Sequence, residues 1–111
     1  MQVHAITKNV RMSAQKMREV VRQIQGLPAM HAQAVLAVIP RKSARVVAKT
    51  LKSAMANAEN NPPHAKPETL RVKEAVAQTA RSLKRFAPKA RGSAGPIIKR
   101  SCHVKITVSD E

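Results

Sequence analysis

The sequence predicts an α+β domain. Three consecutive stretches carry the apolar spacing of helices, a short β-branched stretch precedes them, and two later stretches alternate as strands do. Residues 3–11 (VHAITKNVR) alternate loosely and predict a first strand. Ser13 follows where a helix N-cap belongs, able to satisfy a free backbone N–H. Met17, Val20, Val21 and Ile24 then recur at i, i+3, i+4 and i+7, with Lys16, Arg18 and Arg22 on other faces. This is an amphipathic helix, and Gly26 supplies its C′ stop. Pro28 suits the first turn of a second, shorter helix with apolar positions Ala32, Val35, Leu36 and Ile39. Pro40 separates it from a third. There Ala44, Val47, Ala48, Leu51, Ala54, Met55 and Ala58 form one apolar stripe, and Arg45, Lys49 and Lys52 form a second, basic one. Asn60-Asn61-Pro62-Pro63 ends this helix, because proline has no N–H for the ladder and restricts the residue before it.

Residues 62–68 read as a surface loop. Leu70, Val72 and Val76 alternate with Arg71 and Lys73 as in a half-buried strand. Cys102, Val104, Ile106 and Val108 alternate with His103, Lys105 and Thr107, and this strand is expected to pair antiparallel with 69–80. Between them lies SLKRFAPKARGSAGPIIKR (82–100), with one aromatic, two prolines, two glycines, many positive charges and no sustained apolar face. Composition leaves two readings open: a disordered basic loop, or a long hairpin turning near Arg91-Gly92-Ser93. A hairpin of about a dozen residues per strand would reach on the order of 40 Å at roughly 3.3 Å per residue.

The balance of charge narrows the function. The chain of 111 residues has 21 Lys and Arg against 6 Asp and Glu, a formal net charge of +15, and so calls for a polyanionic partner. No acid occurs between Glu74 and Asp110, whereas Arg81, Lys84, Arg85, Lys89, Arg91, Lys99, Arg100 and Lys105 all do. Cations in such a span neutralise phosphates and release counterions. A merely solvated face is the competing reading, and the lack of any compensating acid counts against it. Small residues among the charges (Ala87, Ala90, Gly92, Ser93, Ala94) allow close approach of backbone to RNA. Reading by aromatic platforms is disfavoured, since Phe86 is the only aromatic residue, which leaves backbone and shape contacts.

Hydrophobic residues make up 43% of the chain but are mostly small, so the isolated fold should be marginal. A single cysteine excludes an internal disulfide. The apolar stretches are too short to cross a bilayer, and Met1–Ile6 lacks the pattern of a signal peptide, so a cytoplasm-like compartment is expected.

Enzyme-like strings dissolve on inspection. Ser13-Ala14-Gln15-Lys16 spells S-x-x-K, but its companion strings are absent and a helix cap explains Ser13. Gly92-Ser93-Ala94-Gly95 spells the GXXG of a KH clamp, but that clamp joins two helices and this string lies between strand-like segments. Cys102 and His103, neighbours on a strand, point to opposite faces and cannot converge on a metal or a reacting atom. The remaining histidines, His4, His31 and His64, lack metal-site spacing, and six scattered carboxylates give no acid–base pair. Neither enzyme activity nor a cofactor is expected. The rivals to an RNA-binding scaffold are a DNA-compacting, histone-like dimer and a membrane-active basic peptide, the latter opposed by the polar 82–100 segment.

Leu51-Lys52-Ser53-Ala54-Met55-Ala56-Asn57-Ala58-Glu59-Asn60 resembles the signature third helix of the universal large-subunit ribosomal protein twenty-two family. Lys84-Arg85-Phe86-Ala87-Pro88-Lys89-Ala90-Arg91-Gly92 and Lys99-Arg100-Ser101-Cys102-His103-Val104 are similar to its hairpin and return strand, and Ser13–Lys16 to its first-helix entry. The likeness covers about residues 3–109, in the family's order. It implies one ribosomal-protein domain over 1–111, with three helices packed on a three-stranded antiparallel sheet and a long protruding β-hairpin over 81–100. It also implies a structural protein of the large subunit that binds 23S-type ribosomal RNA, supports early assembly and lines the nascent-polypeptide exit tunnel. The matching stretch Leu83-Lys84-Arg85 falls where the family's macrolide response is linked to the hairpin.

The RNA-binding residues so implied are Lys84, Arg85, Lys89, Arg91, Lys99 and Arg100 on the hairpin, with Arg45, Lys49 and Lys52 on the third helix, where a solvated face is an equally open reading. Leu83, Phe86, Pro88, Ala90, Gly92 and Ser93 would line the tunnel. Expected partners are large-subunit RNA, neighbouring ribosomal proteins including the one facing the hairpin at the constriction, and the nascent polypeptide. Neither a membrane nor a second copy of the chain is expected among them. The compact N-terminus fits bacterial or organellar forms. Three positions depart from the pattern: Ser93 where many relatives place Arg, Cys102 where Ser is usual, and 77–81, which lacks the usual acid- and glycine-containing turn before the hairpin.

Overall fold

In a computed structural model, which describes residues 2–61, 66–88, 92 and 94–110, the chain runs β1 (Gln2–Val10), α1 (Ala14–Ile24), α2 (Ala29–Val38) and α3 (Lys42–Asn60). A 3-10 turn at Pro67–Thr69 leads to β2 (Arg71–Thr79), β3 (Leu83–Pro88), β4 (Ala94–Lys99) and β5 (Cys102–Ser109). Two antiparallel sheets result, one in the order β1-β5-β2 and one a hairpin of β3 and β4. Among the described residues no helix is long and apolar enough to span a membrane.

Local chemistry accounts for the helix ends. Ser13 caps α1, its Oγ accepting the Lys16 N–H at 3.4 Å. Gly26 follows α1 at φ +80, a left-handed conformation that costs glycine little. Its N–H donates to Val72 O at 2.9 Å, so the helix stop is also a strut onto the sheet. Pro28 stands at the N-cap of α2, one position ahead of the first turn, and its carbonyl accepts the Ala32 N–H. An ion pair between Arg41 and Glu19 links the entry of α3 to α1. Asn61 ends α3 with its N–H on Asn57 O; Pro62 and Pro63 lie outside the described residues, as does most of the expected 62–68 loop.

The core follows the apolar stripes closely. Met17, Val20, Val21 and Ile24 of α1 pack with Ala44, Val47, Leu51, Ala54, Met55 and Ala58 of α3 over the sheet's inner face. That face is supplied by Val72, Ala75, Ala77, Cys102, Val104, Ile106 and Val108. Helix α2 contributes Ala29, Ala32 and Leu36, while Val35 and Ile39 are half-buried. Central β5 is buried along nearly all its length because it is paired on both edges.

One strand departs from the expected phase. Alternation with Arg71 and Lys73 predicts Val76 on the same face as Val72, but the register slips by one residue between Val72 and Glu74. The extra residue of this bulge turns Ala75 and Ala77 inward and leaves Val76 only half-buried on the other side.

The outer edge of β2 is covered rather than left open. Gly26 and Leu27 exchange hydrogen bonds with Val72, Ala29 N–H donates to Leu70 O, and Gln25 and Arg18 of α1 donate to Ala75 O and Ala77 O. Covering an edge in this way removes a template for unwanted strand addition.

Candidate nucleic-acid interface

The basic segment is a hairpin. Its ladder runs from Leu83↔Lys99 through Lys84↔Ile98, Arg85↔Ile97, Phe86↔Pro96 and Ala87↔Gly95 to Pro88↔Ala94. The six described residues per strand correspond to about 20 Å of ladder, and residues 89–91 and 93 lie outside the described residues. The molecule is elongated, 63 Å along its longest axis. Its radius of gyration is 17.2 Å, against about 13 Å for a compact chain of this length.

At the arm's root the pairing of β2 with β5 breaks off in an ordered way. Ala80 N–H donates to Ser101 O at 3.0 Å, and Ser101 Oγ donates to Arg81 O at 2.7 Å. Between Thr79↔Cys102 and Leu83↔Lys99 lie three residues on one strand (80–82) and two on the other (100–101). This one-residue excess is the local device that separates arm from body, in place of the acid- and glycine-containing turn.

Cross-strand neighbours share a face, so the ladder fixes which side chains meet. Arg85, Ile97, Leu83 and Lys99 lie on one side of the arm; Lys84, Ile98, Phe86 and Pro96 lie on the other. All of them are exposed, Phe86 at 77%. Cation and hydrocarbon thus alternate on both faces, a surface suited to phosphate on the charges and to ribose or base on the carbons. Sequence reasoning found no sustained apolar face here and did not single out Ile97 and Ile98. The apolar run Pro96-Ile97-Ile98 among the charges was the signal available.

Of the expected site residues, Lys84, Arg85, Lys99 and Arg100 come together on the arm and its root, with Leu83, Phe86 and Pro88 beside them. Gly92 is at φ +74, a left-handed position that glycine accepts readily. Lys89, Ala90, Arg91 and Ser93 lie outside the described residues. Arg45, Lys49 and Lys52 form a separate exposed row along α3, opposite its buried stripe. Arg11 and Arg81, which the expected set omitted, stand at the arm's root beside Lys99 and Arg100.

Reactive groups elsewhere are accounted for. Ser13 serves as a cap. Cys102 is fully buried, and burial pushes its thiol up from the ordinary value. His103 faces the other way, its Nδ1 accepting the Asn9 N–H at 3.1 Å. No cluster of three potential metal ligands occurs among the described residues.

Comparison with known proteins agrees with this geometry. A family model described as Ribosomal protein L22p/L17e matches residues 5–109. The protein named Large ribosomal subunit protein uL22 of Opitutus terrae is 50% identical over 110 residues, covering 99% of this chain and 96% of the relative. Relatives of the same name from Akkermansia muciniphila and Methylacidiphilum infernorum are 43% and 44% identical over 111 residues. Those matches cover 100% of this chain and 98% and 96% of the relatives.

Proposed function

Since the chain belongs to the L22p/L17e family of ribosomal proteins, a structural component of the large subunit and not an enzyme, we propose that it binds large-subunit RNA through its β3–β4 arm and lines the nascent-chain exit tunnel with it. The observation that carries this reading is the arm itself. Lys84, Arg85, Lys99 and Arg100 are all exposed on or beside a two-stranded ladder, in a span without a single acid.

Such a ladder has no hydrophobic shelter of its own and is marginal in water. Its order in the assembled state comes from the surface it lies against. Phosphates meet the cations, and Phe86 and Pro88, on the face opposite Leu83, present hydrocarbon where the wall faces the tunnel. Lys89, Ala90, Arg91, Gly92 and Ser93 complete the arm in this reading, and Arg45, Lys49 and Lys52 hold the body on RNA. The partners are therefore large-subunit RNA, neighbouring ribosomal proteins including the one opposite the arm, and the growing chain. The protein acts in bacterial ribosomes of the cytoplasm as one copy, and supports early assembly by joining RNA segments at the body and the arm.

The salt response tests the RNA contact. Four phosphate contacts give a log–log slope of about −3.6, roughly a 10²-fold loss of affinity between ~50 and ~200 mM salt, and 6–10 contacts give about 10³–10⁵. A Lys84→Gln/Arg85→Gln/Lys99→Gln/Arg100→Gln variant should lose that share of the slope on large-subunit RNA. An unchanged slope would refute the arm's role. For the tunnel, a thiol cross-linker on Phe86→Cys in translating ribosomes should capture a radiolabelled nascent chain. Capture of RNA alone would remove the tunnel assignment while leaving RNA binding intact.

A further inference from the structure

We infer that the root of the arm is a second RNA-backbone site, in which Arg11 and Arg81 join Lys99 and Arg100 to grip a single-stranded ribose-phosphate segment crossing between arm and body. This inference rests on the RNA-binding reading and extends it to residues outside the arm's ladder.

The site is a hollow of about 260 Å³ lined by Asn9, Arg11, Arg81, Leu83, Lys99, Arg100 and Ser101. Four of these seven residues are cations and none is a carboxylate. A neighbouring hollow shares Arg100 and Ser101 and extends past Thr79 to Ser13, Gln15 and Arg18 at the start of α1. The two adjoin at Arg100 and Ser101 and are together termed the crease. Converging like charges oppose folding of the free protein. A polyanion laid in the crease reverses the sign of that effect.

The backbone is shaped to bring these cations together. At the end of β1 the register slips, so that Lys8 and Asn9 oppose the single residue His103. Asn9 takes φ +57, a left-handed conformation that asparagine tolerates better than most residues, and its N–H is held by His103 Nδ1. The chain then closes a three-residue turn centred on Arg11, with Met12 N–H donating to Val10 O at 2.8 Å. Val10 and Met12 pack on the core while Arg11 between them stays exposed beside the arm. Across the hollow, Ser101 Oγ pins the carbonyl of Arg81. Both arginines therefore rise from anchored backbone, and Leu83, 45% exposed, supplies an apolar wall for a sugar or base.

The ligand follows from these features. An unpaired strand can lay a base or sugar on Leu83, whereas a duplex keeps its bases stacked inside and offers that side chain no base face. Backbone recognition of this kind carries no sequence preference by itself, so the crease orients RNA relative to the arm.

The test compares two matched variants of the full chain, Arg11→Gln/Arg81→Gln in the crease and Lys84→Gln/Arg85→Gln on the arm. Each removes two cations, and each should flatten the salt slope on large-subunit RNA by about 1.4–1.8. Their effects should add in the quadruple variant, and hydroxyl-radical footprints should lose two different sets of nucleotides. The crease pair should also raise the thermal midpoint of the free protein, which a structural role would lower, and Arg11→Lys/Arg81→Lys should keep the wild-type slope. Should the crease pair bind with the wild-type slope and footprint while the arm pair does not, the inference fails and the RNA-binding reading survives. Should the wild type itself show no salt-dependent preference for large-subunit RNA, the reading beneath it fails. Arg11→Gln alone, at an exposed turn, keeps the test open if the pair does not fold, with an expected loss of 0.7–0.9 in slope and an unchanged slope counting against the site.

Discussion

Two leucines separate the body's energetics from the arm's. Leu51 has no exposed surface and sits in the middle of the α3 stripe; Leu83, at the foot of the arm, is 45% exposed. Substituting alanine removes the same three carbons from each. At Leu51 the lost transfer energy is about 2.4 kcal/mol at ~0.8 kcal/mol per carbon, and the residual cavity brings the total to about 3 kcal/mol. At Leu83 much of the side chain already meets water, so the cost stays below about 1 kcal/mol. A chain of this length has roughly 5–15 kcal/mol of stability in all, and the small side chains of this core favour the lower part of that range. Leu51→Ala should therefore lower the thermal midpoint by roughly 10–20 °C, and Leu83→Ala by a few degrees at most. Urea titrations followed by helical circular dichroism measure both. Equal losses at the two positions, or less than about 1 kcal/mol at Leu51, would refute the division into a cooperative body and an arm that adds little to it.

Other substitutions probe single interactions. Ser13→Ala should cost about 1 kcal/mol in urea unfolding, since it leaves the Lys16 N–H without its cap. A β-branched residue tolerates the left-handed backbone at position 9 poorly, so Asn9→Val should destabilise by about 1–2 kcal/mol and Asn9→Gly by far less; equal midpoints for the two variants would rule out that conformation. The Cys102 thiol, raised by burial, keeps its proton in the folded state after the unfolded chain has begun to lose its own. Its contribution is thus complete below the ordinary value of 9.0 and declines as pH rises above it. The difference in urea midpoint between the wild type and Cys102→Ala should be flat up to about pH 8 and then move against the wild type. A difference independent of pH would mean that the thiol is exposed.

The body was legible in the sequence because each of its elements buries one face. The i, i+3, i+4 spacing of α1 and α3 and the alternation of Cys102, Val104, Ile106 and Val108 each report a single environment along a whole element. Features that depend on pairing with a distant strand left no comparable mark. The bulge that moves Val76 out of phase depends on how β2 meets β5, and local alternation is silent about it. The arm stood at even standing between loop and hairpin for a related reason: a ladder without a buried side imposes no apolar period, and its prolines read locally as breakers. Only the resemblance pointed to a hairpin. Arg11 escaped notice because its place beside Arg81 arises from a bulge, a three-residue turn and a contact between opposite ends of the chain.

The middle position of β5 has a consequence in time. Strand β5 follows both β1 and β2 in the chain and is the one both need, so the larger sheet cannot close until synthesis has passed residue 102. The three helices can form earlier from local contacts, whereas β1 waits about a hundred residues for its neighbour. The root of the arm closes in the same final step, through Ala80 and Ser101. A nascent chain of this protein therefore exposes its cationic span before the sheet that anchors it has closed.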